Sequence, residues 1–229
     1  MTFGTAVHET LQNYLSVMYN ESGVKADAIN IEEYFEERFR ENYAKGYKDN
    51  KNVHFSSPKE MREFYDDGLA ILDFIKKKRS EYFSLKDWHL VGIEMPIVIA
   101  PNKTHNNVLF NGFIDLVLYH EPTNQFIIYD IKTSTRGWKD KEKKDEVKQF
   151  QILLYKSFFS EQFGVDEENI DVEFFIVKRK IWEESEFPQK RIQQFNPANG
   201  KTKVKKAKTA LGTFIEETFN LDGSYKTVS

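Results

Sequence analysis

From residue 5 to about 20, apolar side chains recur at helical spacing. Val7, Leu11, Tyr14, Leu15 and Met18 fall on one stripe, which predicts an amphipathic helix. Segments 30–44 and 58–85 read the same way, the second through Met61, Phe64, Tyr65, Leu69, Leu72, Phe74 and Ile75. Ser56-Ser57-Pro58 with Glu60 in the first turn is a helix opening, because Pro lacks the N–H that the first turn cannot use. At Trp88 the texture changes. Runs 88–99, 108–119 and 125–132 are short, rich in Val, Ile, Phe and Tyr, and bounded by turn residues, so each reads as a strand. Pro101-Asn102-Lys103 and Glu121-Pro122-Thr123-Asn124 are expected to be hairpin connections. A charged loop over 136–146 follows, then a helix near 146–163, a strand near 171–181, a short strand at 190–195 and a helix over about 203–219. This order predicts a mixed α/β domain with a helical N-terminal region. The expected division is one domain over 1–229, with its helical region over 1–87, its core over 88–181 and a basic C-terminal segment over 190–229.

Composition adds exclusions. The 229 residues are 40% hydrophobic and 30% charged, with 20 Phe and 11 Tyr, so a ring-filled globular core is expected. The absence of Cys excludes disulfides, zinc–thiolate sites and iron–sulfur clusters. No apolar run approaches the ~18 residues needed to cross a bilayer, and no signal peptide opens the sequence, which makes a cytoplasmic location the default. A net charge of −3 does not by itself suggest a nucleic-acid binder. Local distribution matters more, since an acidic metal site offsets basic surface elsewhere.

The chemistry concentrates in two strands. Asp115 interrupts the apolar run Gly112-Phe113-Ile114-Asp115-Leu116-Val117, where a carboxylate is costly unless it is paired or binds a cation. Asp130 and Lys132 in Tyr129-Asp130-Ile131-Lys132-Thr133 share a strand face, with Ile131 on the other, and a tight hairpin brings Asp115 near them. Carboxylate oxygens at this spacing suit Mg²⁺ or Mn²⁺ and a phosphate substrate. The lysine is placed to orient a water or stabilise developing charge. Taken alone, Asp-X-Lys is more often a structural ion pair.

Its surroundings shift that balance. Gly4-Thr5-Ala6-Val7-His8, then Glu94, Gly112-Phe113-Ile114-Asp115, Asp130-Ile131-Lys132 and Gln151-Ile152-Leu153-Leu154-Tyr155 occur in this order. The series resembles the PD-(D/E)XK nuclease superfamily in its RecB-like branch, over residues 4 to 155. The resemblance implies a restriction-endonuclease-like core with a central mixed sheet flanked by helices. It implies His8, Asp115, Asp130 and the Ile131 carbonyl as metal ligands, and Lys132 as the catalytic lysine. Glu94 would be a supporting or second-metal acid, while Gln151 and Tyr155 shape the site or contact DNA. It further implies a metal-dependent deoxyribonuclease, favouring an exonuclease of recombination, repair or phage DNA metabolism in a bacterial or phage-infected host cytoplasm. A site- or structure-specific endonuclease and a non-catalytic DNA-binding subunit are the alternatives. The expected partners are DNA and either a second copy of the chain or a recombination protein. Cysteine-bearing relatives hold an iron–sulfur cluster that this chain cannot. Relatives often carry more chain ahead of the Gly4 motif, which leaves room for an earlier start codon.

Other features weigh less. Lys201, Lys203, Lys205, Lys206 and Lys208 form a basic cluster that, beside a nuclease site, is expected to track phosphates. The Arg136–Lys148 loop carries both signs. Asn199-Gly200-Lys201-Thr202 resembles the end of a phosphate loop, but position 195 is Phe rather than the required glycine. His54, His89, His105 and His120 read as structural or surface residues. The aromatics between Tyr34 and Tyr47 read as core.

Overall fold

The computed structural model describes residues 2–182, 184–187 and 189–227. Its elements are α1 (Thr2–Asn20), α2 (Gly23–Ala28), α3 (Ile31–Asp49), α4 (Pro58–Tyr82), β1 (Trp88–Ile99), β2 (Phe110–His120), β3 (Gln125–Ser134), α5 (Asp140–Lys143), α6 (Glu146–Phe163), β4 (Ile170–Lys178), β5 (Ile192–Phe195) and α7 (Lys201–Thr218). Five strands form one mixed sheet in the order β1-β2-β3-β4-β5. β2 and β3 are antiparallel, with Leu116 opposite Tyr129 and Tyr119 opposite Phe126. Beyond the ends of β3 and β4, Arg179 N donates to Ser134 O and Lys180 N to Thr135 O. Both chains step the same way there, the parallel sense reached through a helical crossover. This is the mixed α/β architecture the alternation of strands and helices predicts.

By contact density the chain divides into two compact units. The first comprises Met1–Leu90, Ile131–Trp138 and Phe175–Gln194. Here α1 packs on α2, α3 and α4. Val7, Leu11, Tyr14, Leu15 and Met18, the stripe read from the sequence, are all buried, and they join Phe35, Ile71, Leu72 and Ile75 in the core. α4 opens with the expected Pro at its start and a capping box between Ser57 and Glu60, which satisfies two otherwise orphaned N–H groups. Phe83 meets Phe175 with ring centroids 5.1 Å apart.

The second unit comprises Val91–Asp130, Lys139–Phe174 and Phe195–Ser229. Its axis is α6, in which every residue from Ile152 to Phe159 is buried, as a helix surrounded by protein should be. Phe158 packs on Phe110 and Phe159 on Phe126. Each such ring contributes about 1.5–3 kcal/mol when fully buried. Asp145 caps the start of α6 by accepting from Val147 N, and Gly164 ends it at φ 68°. α7 lies along α6 through buried Val204, Ala207 and Ile215.

Several details differ from the sequence reading. α2 is an additional short helix, and α5 forms inside the expected 136–146 loop. The Pro101-Asn102-Lys103 turn is only a fraction of a longer connection over residues 100–109, in which His105 is buried. No helix of the described residues is long and apolar enough to cross a membrane.

Candidate metal centre

β2 holds Asp115 half-buried between Ile114 and Leu116, which are fully buried. β3 holds Asp130, only 3% exposed. Carried one pair beyond Leu116 opposite Tyr129, the register sets Asp115 across from Asp130, and directly opposed residues project from one face. Like charges so placed destabilise a hairpin, and burial makes the repulsion worse. The apolar pairing of these strands gives no reason of its own for two acids there.

A third carboxylate comes from β1. In this strand exposed and covered positions alternate until Gly92 and Ile93, both partly covered, break the phase. The next residue, Glu94, has φ 50°, the left-handed region that costs a residue with a side chain roughly 1–2 kcal/mol. Uninterrupted alternation from Trp88 would turn residue 94 to the covered side, and the slip turns it to the open one. A bulge of this kind re-aims a side chain. Carboxylate oxygens of Glu94 and Asp115 then lie within 4.8 Å of each other. Oxygens around one octahedral Mg²⁺ at ~2.1 Å stand no more than about 4.2 Å apart, so a fraction of an ångström of side-chain movement brings both onto one ion. The donor set fits a hard divalent cation.

α6 supports β2 from the opposite face. A Cβ at Gly112 would lie 2.8 Å from Cε1 and 2.9 Å from the hydroxyl of Tyr155. Tyr155 therefore docks directly on the strand backbone, three residues before Asp115. Its hydroxyl accepts from Gln151 Nε2 at 3.2 Å, and Gln151 itself is exposed. Alternation turns Asp115 away from the Gly112 face, so Tyr155 holds the strand rather than the carboxylate.

In the other unit, α1 approaches the end of β3 by the same device. A Cβ at Gly4 would sit 2.6 Å from Thr133 Oγ1, so any larger residue would force Thr133 to turn aside. His8 is one turn further along α1, and its Nε2 lies 3.2 Å from the Nε2 of Gln12, itself 6% exposed. Gln12 thereby orients the ring. Nothing in the spacing singles it out except its i+4 relation to His8. Lys132 is half-buried on β3, two residues beyond Asp130, with Ile131 (7% exposed) turned the other way between them.

The lysines of α7 are less free than their sequence suggests. Lys201 pairs with Glu168 at 2.6 Å, and Lys203 and Lys206 share Glu146 at 3.6 and 2.6 Å. Such exposed pairs contribute about 0–1 kcal/mol and can exchange for phosphate. Lys205 and Lys208 have no ion-pair partner among the described residues. At the start of this helix, Lys156 is 5% exposed and donates to Asn199 Oδ1 at 2.7 Å and to Asn199 O at 3.0 Å. Burial lowers its pKa, against the raising pull of Glu167 and Asp171. The chain's own lysine thus engages the Asn199 turn, in keeping with the absence of a phosphate-loop pattern.

Compared with known families, residues 1–222 match the family model described as the PD-(D/E)XK nuclease superfamily. No curated protein matches the chain.

Proposed function

The chain belongs to the PD-(D/E)XK nuclease superfamily, and from that premise we propose a Mg²⁺- or Mn²⁺-dependent deoxyribonuclease of the RecB-like branch. Asp115, Asp130, the Ile131 carbonyl and His8 are the metal ligands in this reading, with Glu94 completing the acidic set. The observation that carries it is the Glu94–Asp115 carboxylate pair, reached through a strained backbone. The cation, when bound, supplies charge neutralisation at the phosphate and acidification of water.

The chain's own groups do the rest. Asp115 and Asp130 would hold the cation to which the reacting phosphate binds, since bare carboxylates repel it. Lys132 donates a hydrogen bond to the attacking water or to the phosphoryl oxygen on which charge develops, and its half-buried setting strengthens that bond relative to water. Tyr155 is a positioning residue that acts through the Gly112 backbone. Gln151, exposed one turn earlier, reaches toward the substrate strand. Lys205 and Lys208 track the phosphate backbone, with Lys201, Lys203 and Lys206 joining once DNA displaces Glu168 and Glu146. The whole chain serves as one nuclease domain, with an exonuclease role in cytoplasmic DNA recombination, repair or phage DNA metabolism.

The test uses end-labelled linear and covalently closed circular DNA, single- and double-stranded, with Mg²⁺ or Mn²⁺. Linear DNA degraded from its ends, circles left intact, and activity lost in Lys132→Ala with an unchanged circular dichroism spectrum is the expected result. Cut circles would make the enzyme an endonuclease. A Lys132→Ala protein of near-wild-type rate would overturn the mechanism.

A further inference from the structure

Past Lys132 the chain enters a cleft that the catalytic residues do not use. Arg136, Lys178, Lys180, Ile181, Trp182 and Gln189 line a volume of about 760 Å³ at the ends of β3 and β4. This is within the ~300–1,000 Å³ range of ligand clefts. No carboxylate lines it among the described residues. Trp182 is 68% exposed, an unusual amount of open indole for a side chain of this size.

The strand ends beside the cleft are tied together. Arg179 N and Lys180 N donate to Ser134 O and Thr135 O, both at 2.8 Å. Gly137, at φ 91°, turns the chain after Arg136, and Trp138 N donates to Gln193 Oε1 at 2.7 Å. The Lys180 ammonium is held by Glu63 and Asp67, each at 2.9 Å. Arg136 is exposed and makes no ion pair among the described residues. Arg136 follows Lys132 by four residues, roughly 13 Å of extended chain. A cation and an indole face thus stand open together, the cation four residues along the chain from Lys132.

We propose that this cleft seats unpaired nucleotides of the substrate strand, with a base stacked on Trp182 and its phosphate against Arg136. The inference rests on the nuclease reading and narrows it to DNA with a single-stranded segment at the cleavage point. The physical reason is that a base inside a duplex has both faces covered, whereas an unpaired one offers a face to an aromatic ring. Arg136 supplies the charge that a base-stacking platform lacks.

The experiment measures binding in excess chelator, where no cleavage occurs. Fluorescence-labelled oligothymidylate, a blunt duplex of equal length and free thymidine monophosphate are titrated into wild type, Trp182→Ala and Arg136→Ala. Stacking losses of about 1–3 kcal/mol per base predict that Trp182→Ala weakens oligothymidylate about 5- to 150-fold. Arg136→Ala should flatten the salt dependence by roughly 0.7 in slope, the increment of one phosphate contact on a single strand. Duplex affinity should change little in either variant. Unchanged oligothymidylate affinity in Trp182→Ala, equal losses on duplex, or monophosphate binding as tight as the oligomer would each overturn the proposal, as would a wild type that does not bind oligothymidylate. Cleavage of linear DNA by wild type with Mg²⁺ is run in parallel. Cleavage with a silent Trp182→Ala defeats only the cleft, and its absence defeats the nuclease reading.

Discussion

Asp115→Asn should stabilise the metal-free protein and destabilise it relative to wild type once metal is added. The substitution keeps the shape and an acceptor oxygen but removes one charge of a pair within 4.8 Å. At that separation two unit charges repel by about 0.9 kcal/mol in water and about 3.5 kcal/mol at an effective dielectric of 20. Glu94 is exposed, so the lower figure applies, about 1 kcal/mol. For a domain of this size that is an increase of about 2–4 °C in melting temperature. Divalent metal at a hundred times its dissociation constant stabilises a binding protein by about 2.7 kcal/mol, more than the relieved repulsion. The order of the two melting temperatures should therefore invert between chelator and saturating Mg²⁺ or Mn²⁺. Thermal unfolding followed by circular dichroism at low salt reads both states. A variant that melts below wild type in chelator, or one that gains as much from metal as wild type does, refutes the reasoning.

Gly112→Ala should destabilise by about 1–3 kcal/mol through its clash with Tyr155, and a Tyr155→Ala partner in the same protein should recover some of the loss. Urea unfolding of the four proteins of that cycle checks the coupling, and strictly additive effects would remove Tyr155 as a support of β2. Among the lysines, Lys205→Ala should reduce the salt slope of DNA binding by roughly 0.7–0.9, while Glu146→Ala, by releasing Lys203 and Lys206, should strengthen binding. If Glu146→Ala leaves affinity unchanged, the two lysines do not meet DNA. His8→Ala should weaken Mn²⁺ binding in calorimetry without DNA, and a dissociation constant equal to wild type would take His8 out of the ligand set.

The fold is legible in the sequence where one period runs long enough. The α1 stripe, the Ser57–Glu60 opening of α4 and the three aromatic runs appear in the structure with shifts of a few residues. α2 escaped because six residues hold less than two helical turns, too few for a stripe. The strand expected to 181 ends at Lys178, although its pairing continues through Arg179 and Lys180, whose side chains turn to Glu63 and Asp67. The acidic hairpin could be read because alternation and register are local properties. The bulge could not. Gly92-Ile93-Glu94-Met95 is compatible with a straight strand, and only the backbone angle shows that Glu94 is turned. Contacts such as Gly4 with Thr133 and Gly112 with Tyr155 join distant segments, which no spacing reveals. The cleft did leave a trace, since Lys178-Arg179-Lys180-Ile181-Trp182 places cations beside an aromatic, but a run of five residues does not say which of them face one hollow.

A structural ion pair between Asp130 and Lys132 would account for one acid and one base and would not account for the left-handed backbone at Glu94. Glu94 is brought within 4.8 Å of Asp115 by a backbone angle that costs roughly 1–2 kcal/mol. Against a total stability of about 5–15 kcal/mol, a strained residue and a close acid pair are a large sacrifice for a surface feature. A bound cation would cancel the repulsion between Glu94 and Asp115, and its binding energy would outweigh the strain at Glu94. The strain at Glu94 separates the two accounts. If the residue is only a piece of surface, Glu94→Gly relieves a left-handed side chain and changes nothing else. If it serves the metal, the same substitution raises the melting temperature in chelator while metal affinity falls, and the protein gains stability as it loses the ion.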